Sequence, residues 1–569
     1  MSNPDATHSA QQSIRSFRND PADFLPEALG GFIASHPDAT WYEQGFIART
    51  TPLRTDAGKP AVAVVSGGGS GHEPMHAAFV GEGMLAAAVP GLVFSSPNAI
   101  QITEATRWAD QGAGVLHVVK NYTGDVMNFK VARQSLADVE TAVVLVDDDV
   151  ATDQGEDSDG PGRRGTGATI IVEKVAGAAA QRGDDLAQVT DIAQWVADNS
   201  RSMAVALAPG HLPTTGRDTF DLPAGKMEVG VGIHGERGVD RVDVEPADAV
   251  VTRLLDGIDA TAGEYICLVN GLGGTTPLEL SLIFGSALRQ LEQRGITVRR
   301  AMVGTFVTSM NMAGVSLTLT RSTDEVIELL DAPTEAPGWP RVLGGQDGAG
   351  IQFQPAVMEF ADDLGASTEE NAWLSAFVER VQRSFDDLTE LDRLAGDGDF
   401  GHNMDAAFGG VNLPLHGTDS EVLQTLAHRL FIRAGGTSGA VLGTLFRELS
   451  TAMDGADSST SGLSTGLRNA CDAITELGGA QEGDNTLMDA LLPAARAAND
   501  ADAQDLTFGE LLKVCHEAAA KGARDTREMI AKKGRASYLG TASQGVVDPG
   551  AILVSWIFGG NGKVADFNS

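Results

Sequence analysis

Over residues 14–345, short apolar runs alternate with longer stretches in which apolar residues recur every three or four positions. The runs lie at 61–66, 115–119, 141–147, 202–207, 265–270 and 302–308, with little polar interruption. Such runs predict strands covered on both faces, because a solvated face would show as polar alternation. Interleaved with helical stretches, they predict an α/β domain. Between 346 and 368 the composition shifts to Gly, Asp, Gln and Pro, which predicts a linker. Beyond it, over 369–569, the pattern is helical. Trp373, Phe377, Val381, Phe385 and Leu388 follow the spacing of one helix face, and similar patterns fill 421–430, 440–453, 463–477, 486–499 and 508–530. An α/β domain followed by an all-α domain is the expected architecture.

The 569 residues carry 41 Lys and Arg against 77 Asp and Glu, a net charge of −36. That charge, without a basic stripe, excludes nucleic acid as a partner, since phosphate backbones require clustered cations. Three cysteines, Cys267, Cys471 and Cys515, are far apart and odd in number, so three buried thiols in a cytoplasmic protein are expected rather than a disulfide framework. Residues 1–13 are polar and read as a loose tail, not a secretory signal. No apolar run reaches the roughly 18 residues of a membrane span, so no membrane partner is expected.

Three stretches of the first half bring polar groups to the ends of apolar runs. In VSGGGSGHEPMH (65–76) a strand enters a glycine-rich loop followed by His72. Such a loop lets backbone N–H groups approach a ligand without Cβ interference. It matches neither the Walker A motif nor G-x-G-x-x-G. In VKNYTGDVMNF (119–129) a strand ends in Lys120, Asn121, Tyr122 and Asp125, and the alternative to a site is a turn in which Asp125 caps the next helix. In MEVGVGIHGE (227–236) His234 has Gly232 and Gly235 as near neighbours, which leaves the imidazole uncovered, as a nucleophilic histidine requires.

In the second half, Asp392 lies in the last turn of a predicted helix that runs into an extended loop carrying Asp397 and Asp399. Three carboxylates at the negative end of a helix dipole call for a cation, and an all-oxygen donor set suits Mg²⁺. The alternative is a solvated acidic turn. AGGTSG (434–439) precedes an apolar helix, so its N–H groups with Thr437 and Ser438 could hold phosphate. Arg535 is a candidate counter-charge.

Taken in order, SGGGSGHEP, KNYTGDV, GRRG (162–165), MEVGVGIHGE and VNGLGGTTPLEL, then LDRLAGDGDFGHNM, GGTSGAVLGTLF, GDNTLMDALLPA, GRASYLG and DPGA, resemble the fused, single-chain dihydroxyacetone kinases over nearly the whole chain. The resemblance implies a ketose-binding K domain of two α/β subdomains, at 14–345, and an ATP-binding L domain forming an all-α helical barrel, at 369–569. It implies ATP-dependent phosphorylation of dihydroxyacetone or erythrulose, with His234 holding the substrate carbonyl as a hemiaminal. It assigns Gly69, Ser70, Gly71, His72, Lys120 and Asp125 to the substrate, with His72 and Asp125 handling the hydroxyl proton. Asp392, Asp397 and Asp399 would hold Mg²⁺. His402, Asn403, Thr437, Ser438, Gly483, Arg535 and the turn Asp548, Pro549, Gly550 would hold ATP. A homodimer is expected on the same ground. Two rivals share the fold: a kinase fed by a phosphotransfer protein, and a non-catalytic ketose-sensing coactivator. The chain departs from the family pattern at Asn485, where Lys or Arg is usual, and in TASQGVVDPG before the DPG turn.

Overall fold

The computed structural model describes residues 15–153, 162–345, 349–356, 368–396, 398–502, 506–560 and 562–567. The expected tail and most of the expected linker lie outside these. The chain divides into two compact units, Met1–Pro355 and Ala356–Ser569.

The first unit is built on two sheets. Strands β1 (Ala39–Tyr42), β2 (Phe46–Arg49), β3 (Ala63–Ser70), β4 (Ala87–Val93), β5 (Val115–Lys120) and β6 (Thr141–Val146) form one in the order β1-β2-β4-β3-β5-β6. Its β4, β3, β5 and β6 run parallel, and β1 and β2 add an antiparallel edge. The glycines of β3 are strand residues because the neighbour is close: a Cβ on Gly67 would stand 2.6 Å from the Val89 carbonyl oxygen. At the edge, β6 is covered on one face only, with Val143 and Leu145 each 38% exposed, so its apolar run overstates its burial.

The second sheet comprises β7 (Ser200–Ala208), β10 (Lys226–Val229), β11 (Asp240–Asp243), β12 (Gly263–Gly271), β13 (Ile296–Gly304), β14 (Ala313–Arg321) and β15 (Leu343–Gly344), with a separate pair β8 (His211–Leu212) and β9 (Arg217–Asp218). Only β12 and β13 pair in parallel; the other neighbours are antiparallel. The run at 302–308 is therefore displaced: its strand is Ile296–Gly304, and Phe306, Val307 and Thr308 belong to the loop that follows.

The helix Ala168–Arg182 is buried on every side from Ala168 to Ala180 and packs in one core with residues of both sheets. Glu173 and Lys174 are its charged residues in that span, both fully buried, and each needs a partner. Lys174 donates to the Leu329 carbonyl at 2.9 Å. Ile351 donates to the Val298 carbonyl at 2.8 Å and Arg289 stacks over Phe353, so residues 351–353 lie on the first unit.

The second unit is all helical: Ala372–Gln382, Phe385–Ala395, Phe400–Phe408, Asp419–Arg433, Gly436–Met453, Ser459–Gly478, Met488–Asp502, Phe508–Asp525 and Pro549–Ile557. Every residue of Pro549–Ile557 is buried, which is why it is apolar all round. The face read through Trp373 to Leu388 is shared by two helices, because the chain breaks at Ser384. Thr418 with Glu421 and Thr507 with Glu510 form capping boxes. All three cysteines are free and buried, and burial pushes each thiol up to about 12. No helix among the described residues is long and apolar enough to cross a membrane.

Candidate active site

In the first unit, residues from both sheets meet around the His234 imidazole. Strand β3 ends at Ser70, whose hydroxyl donates to the Gly91 carbonyl at 2.7 Å. Gly71 turns the chain with φ +104°, and a Cβ there would press on the Phe94 ring at 2.7 Å and the Met310 sulfur at 2.9 Å. Gly69 faces the 94–95 backbone equally closely, with Ser95 N 2.7 Å from its would-be Cβ. This crowding delivers His72 under the loop after β13: Thr308 N–H donates to the His72 carbonyl at 3.2 Å and Met310 N–H to that of Gly71 at 2.9 Å. The His72 ring stacks on Phe94 at 5.0 Å, and the edges of His72 and Tyr122 approach His234 at centroid distances of 4.7 and 4.5 Å.

Hydrogen bonds set the tautomers. His72 Nδ1 lies 2.7 Å from the Thr308 carbonyl oxygen, which can only accept, so Nδ1 carries the proton. The His72 Nε2 lone pair is left buried without a partner among the described residues. Burial first, then the charges of His234 and Lys120, hold this ring well below the usual imidazole range, so it is neutral. His234 Nδ1 is 3.2 Å from Glu236 Oε1, and the His234 backbone N–H donates to Oε2 at 2.9 Å. Burial opposes the Glu236 charge, but the His234 hydrogen bond and Arg164 outweigh it and keep the carboxyl below its ordinary range. A carboxylate on Nδ1 leaves the lone pair on Nε2 of His234, and the side chain is 18% exposed.

Asp125 does not cap its helix. It sits in the first turn of Thr123–Gln134, buried, with Oδ1 unpartnered among the described residues and Oδ2 4.0 Å from Lys120 Nζ. A Cβ on Gly68 would overlap the Lys120 ammonium. All six residues assigned to the ketose on resemblance, Gly69, Ser70, Gly71, His72, Lys120 and Asp125, thus lie in or directly behind one cup.

Several members of this cup were not singled out in the sequence: Phe94, Thr308, Glu236, and Arg164, which pairs with Asp149 at 2.7 Å and stands 3.7 Å from Glu236. Arg164 lies in GRRG and Glu236 in GIHGE, so both were within motifs. Phe94 and Thr308 had no local signal.

In the second unit a cavity of about 290 Å³ is lined by Asp392, Asp399, Asn403, Thr437, Ser438, Arg535, Asp548, Pro549 and Gly550, together with the apolar Val441, Leu442, Ile474, Leu487 and Met488. Of the residues assigned to ATP, His402 and Gly483 are outside this lining. His402 is exposed, and Gly483 N–H donates to Asp489 at 2.5 Å. Asp397 lies outside the described residues, and among those described no group of three or more His, Cys, Asp or Glu is close enough to hold a metal. Asp392 accepts from Phe400 N–H at 3.1 Å, and Asp399 accepts from Arg535 at 2.8 Å. The helix Gly436–Met453 starts without a side-chain cap, so its first-turn N–H groups open on the cavity, and Asn403 steadies Gly435 N–H at 2.7 Å. Burial, then Asp489 and Asp392, push Asp548 up to about 7. Asp392 and Asp399 offer oxygen donors alone, the kind Mg²⁺ takes, and an uncapped helix start suits phosphate.

An open imidazole in a glycine-walled cup, joined in one chain to a helical unit with an acidic, phosphate-fitting cavity, is the arrangement of a two-domain phosphotransferase. Residues 30–338 match the Dak1 domain and residues 394–562 the DAK2 domain. Triokinase/FMN cyclase of Rattus norvegicus is 35% identical over 560 residues, covering 94% of this chain and 95% of that protein. The D-erythrulose kinase of Mycolicibacterium smegmatis is 34% identical over 561 residues, covering 94% and 95%. The crystal structure of the C. freundii dihydroxyacetone kinase in complex with AMP-PNP and Mg²⁺ shares the fold with a TM-score of 0.60 at 29% identity, covering 96% of this chain and 99% of that one. The chain belongs to the fused Dak1/DAK2 family of dihydroxyacetone kinases and their relatives.

Proposed function

We propose that this protein transfers the γ-phosphoryl group of ATP to a terminal hydroxyl of dihydroxyacetone or erythrulose, with the ketose held as a hemiaminal on His234 in the first unit. The single observation that supports capture is the His234 Nδ1–Glu236 hydrogen bond, which leaves Nε2 as a free nucleophile in a cup two histidines and a tyrosine wide. Nε2 bonds to the carbonyl carbon, the C=O π pair moves onto oxygen, and that oxygen takes a proton from solvent. The Nδ1 proton passes to Glu236 as the ring would otherwise gain charge, so the adduct is neutral. A polyol has no carbonyl and is not captured.

The tether fixes the terminal hydroxyl, and positioning supplies most of phosphoryl-transfer catalysis. Its proton passes to Asp125 Oδ1 or His72 Nε2, the two unpartnered acceptors beside it. When bound, MgATP supplies the phosphoryl group with its charge screened. Asp392 and Asp399, with Asp397, would hold the metal, while the Thr437 and Ser438 turn and Arg535 would hold the phosphates. The apolar half of the cavity suits a nucleobase. ATP as donor is supported over a phosphotransfer protein by the presence of both units in one chain, and a non-catalytic sensor has no use for the acidic cavity. Homodimerisation belongs to the same reading and is checked by sedimentation.

The test is His234→Ala. Nucleotide binding, followed by calorimetry, should be unchanged, and the preference for ketose over glycerol in kcat/KM should vanish. A variant that keeps the wild-type preference rules covalent capture out. A screen of dihydroxyacetone and both erythrulose enantiomers identifies the ketose.

A further inference from the structure

Behind the cup lies a buried chain of ionisable groups with no part in the mechanism above. His76 Nε2 is 2.7 Å from Lys120 Nζ, His76 Nδ1 is 2.6 Å from Glu173 Oε1, and Ser66 Oγ is 3.1 Å from the same Nδ1. His76 is 5% exposed, and Ser66, Lys120 and Glu173 are 0% exposed. Charges are not buried this deeply without a reason that outweighs desolvation.

Two proton arrangements fit these distances: Lys120 as an ammonium donating to Nε2, with Nδ1–H on an ionised Glu173, or the reverse, with a neutral amine and a protonated Glu173, which burial pushes up to about 8. Asp125 and Glu173 both favour the Lys120 charge, which selects the first. An ammonium only donates, so His76 Nε2 is a lone pair and its proton is on Nδ1. Nδ1–H then donates to Glu173. Ser66 spends its own hydrogen on the Val118 carbonyl at 2.8 Å and offers His76 only a lone pair. Lys120 Nζ also donates to the Gly67 carbonyl at 3.3 Å. Its remaining direction is toward Asp125 Oδ2 at 4.0 Å. Glu173 comes from the buried helix Ala168–Arg182, His76 from the loop after β3, Lys120 from the end of β5, and Asp125 from the helix after it.

We infer that Glu173 and His76 are positioning residues: through a carboxylate–imidazole–ammonium chain they fix the site and charge of Lys120, whose ammonium stands beside Asp125, the acceptor of the ketose hydroxyl proton. This rests on the reading of Asp125 given above. The groups facing Lys120 are His76, Asp125 and Glu173, with His72 as the nearest further ring. Without the Glu173 charge the buried ammonium, already pulled down by burial, releases its proton more readily, and Asp125 loses the cation beside it. The alkaline limb of kcat/KM moves down.

The experiment uses Glu173→Gln and His76→Gln in the full chain, with kcat/KM for the ketose measured from pH 5.5 to 9 and Asp125→Asn alongside. For Glu173→Gln the alkaline limb should move down by about one pH unit and kcat at pH 7 should fall about tenfold, with the ATP KM unchanged. A purely structural role would lower the melting temperature and leave the limb in place; folded variants with the wild-type profile overturn the inference. If neither variant folds, ¹⁵N-histidine spectra of the unsubstituted protein decide: an Nδ1–H tautomer for His76 across pH 5.5–8 upholds the chain, and an Nε2–H ring or an imidazolium overturns it. Should Asp125→Asn keep full activity, the role of Asp125 itself falls. Should Asp125→Asn be inactive while the two Gln variants match the wild type, only the positioning role falls.

Discussion

Gly69→Ala tests whether the cup is as closely built as its glycines imply. The new methyl carbon would stand 2.7 Å from Ser95 N and 2.9 Å from Phe94 C and Cα. Ordinary contact is about 3.5 Å, so the 94–95 backbone must retreat by roughly 0.8 Å. No flexible side chain can give way, because the opposing atoms are main chain. Phe94 moves with them, and its ring stacks on His72 at 5.0 Å and meets His234 edge-on at 5.5 Å. Overpacking of this kind costs about 1–3 kcal/mol of stability. A 1 Å misplacement of reacting groups costs about 10²-fold in rate. The expected outcome is a ketose kcat/KM lower by about 10²-fold with nucleotide affinity unchanged. A coupled ADP-release assay measures the first and calorimetry the second. Gly30→Ala is the control: nothing lies within 4 Å of its Cβ, and in mid-helix it should be neutral or stabilising by up to about 1 kcal/mol. If Gly69→Ala retains wild-type kcat/KM and melting temperature, the cup is looser than described and the argument from backbone proximity fails.

Asp399→Asn should raise the Mg²⁺ concentration needed for half-maximal turnover while changing stability by less than about 1 kcal/mol, since its Arg535 pair is exposed; an unchanged metal titration counts against the acidic cavity as the metal site. Asp148→Ala should destabilise the first unit by about 3–5 kcal/mol. It strands Thr166 N–H at 2.7 Å, Thr166 Oγ at 2.8 Å, Ala168 N–H at 3.0 Å and the Ser202 hydroxyl, and urea unfolding reads the loss. His117, its Nε2 bonded to Thr106 at 2.9 Å, is pushed down to about 3 by burial. The unfolded chain therefore binds the extra proton first, and stability falls as pH drops from about 6.5 toward 3. His117→Gln should flatten that slope in melts across the window; a slope identical to the wild type's would show that another group causes it.

How much of this could be read from the sequence depended on distance along the chain. The glycine-rich strand end, the KNYTGD turn and the GIHGE loop each hold their chemistry within a few residues, so SGGGSGH and His234 stood out, while Glu236, inside the same loop as His234, did not. The partners that set tautomers did not. Thr308 lies 236 residues from His72 and Glu173 lies 97 residues from His76, and neither occupies a motif. The second sheet was half visible for a similar reason. Its buried strands β7 and β12 read as apolar runs, whereas β14, AGVSLTLTR, places Ser316, Thr318 and Thr320 inside, each buried, so its polarity disguised a central strand. In the helical half, the apolar spacing survived the break at Ser384 because two consecutive helices face one core.

The histidines of the cup hang from different sheets. His72 follows β3, and His234 follows β10. What keeps them facing is a seam: Asp148 and Ser202 on one side, where Ser202 N–H donates to the Asp148 carbonyl at 2.7 Å, and Thr308 with Met310 against Gly71 and His72 on the other. Loosening that seam by warmth or mild denaturant would part the rings while both sheets persist. Inactivation should then come ahead of the loss of circular dichroism, and a tightly held ketose, spanning the gap like a staple, should delay it.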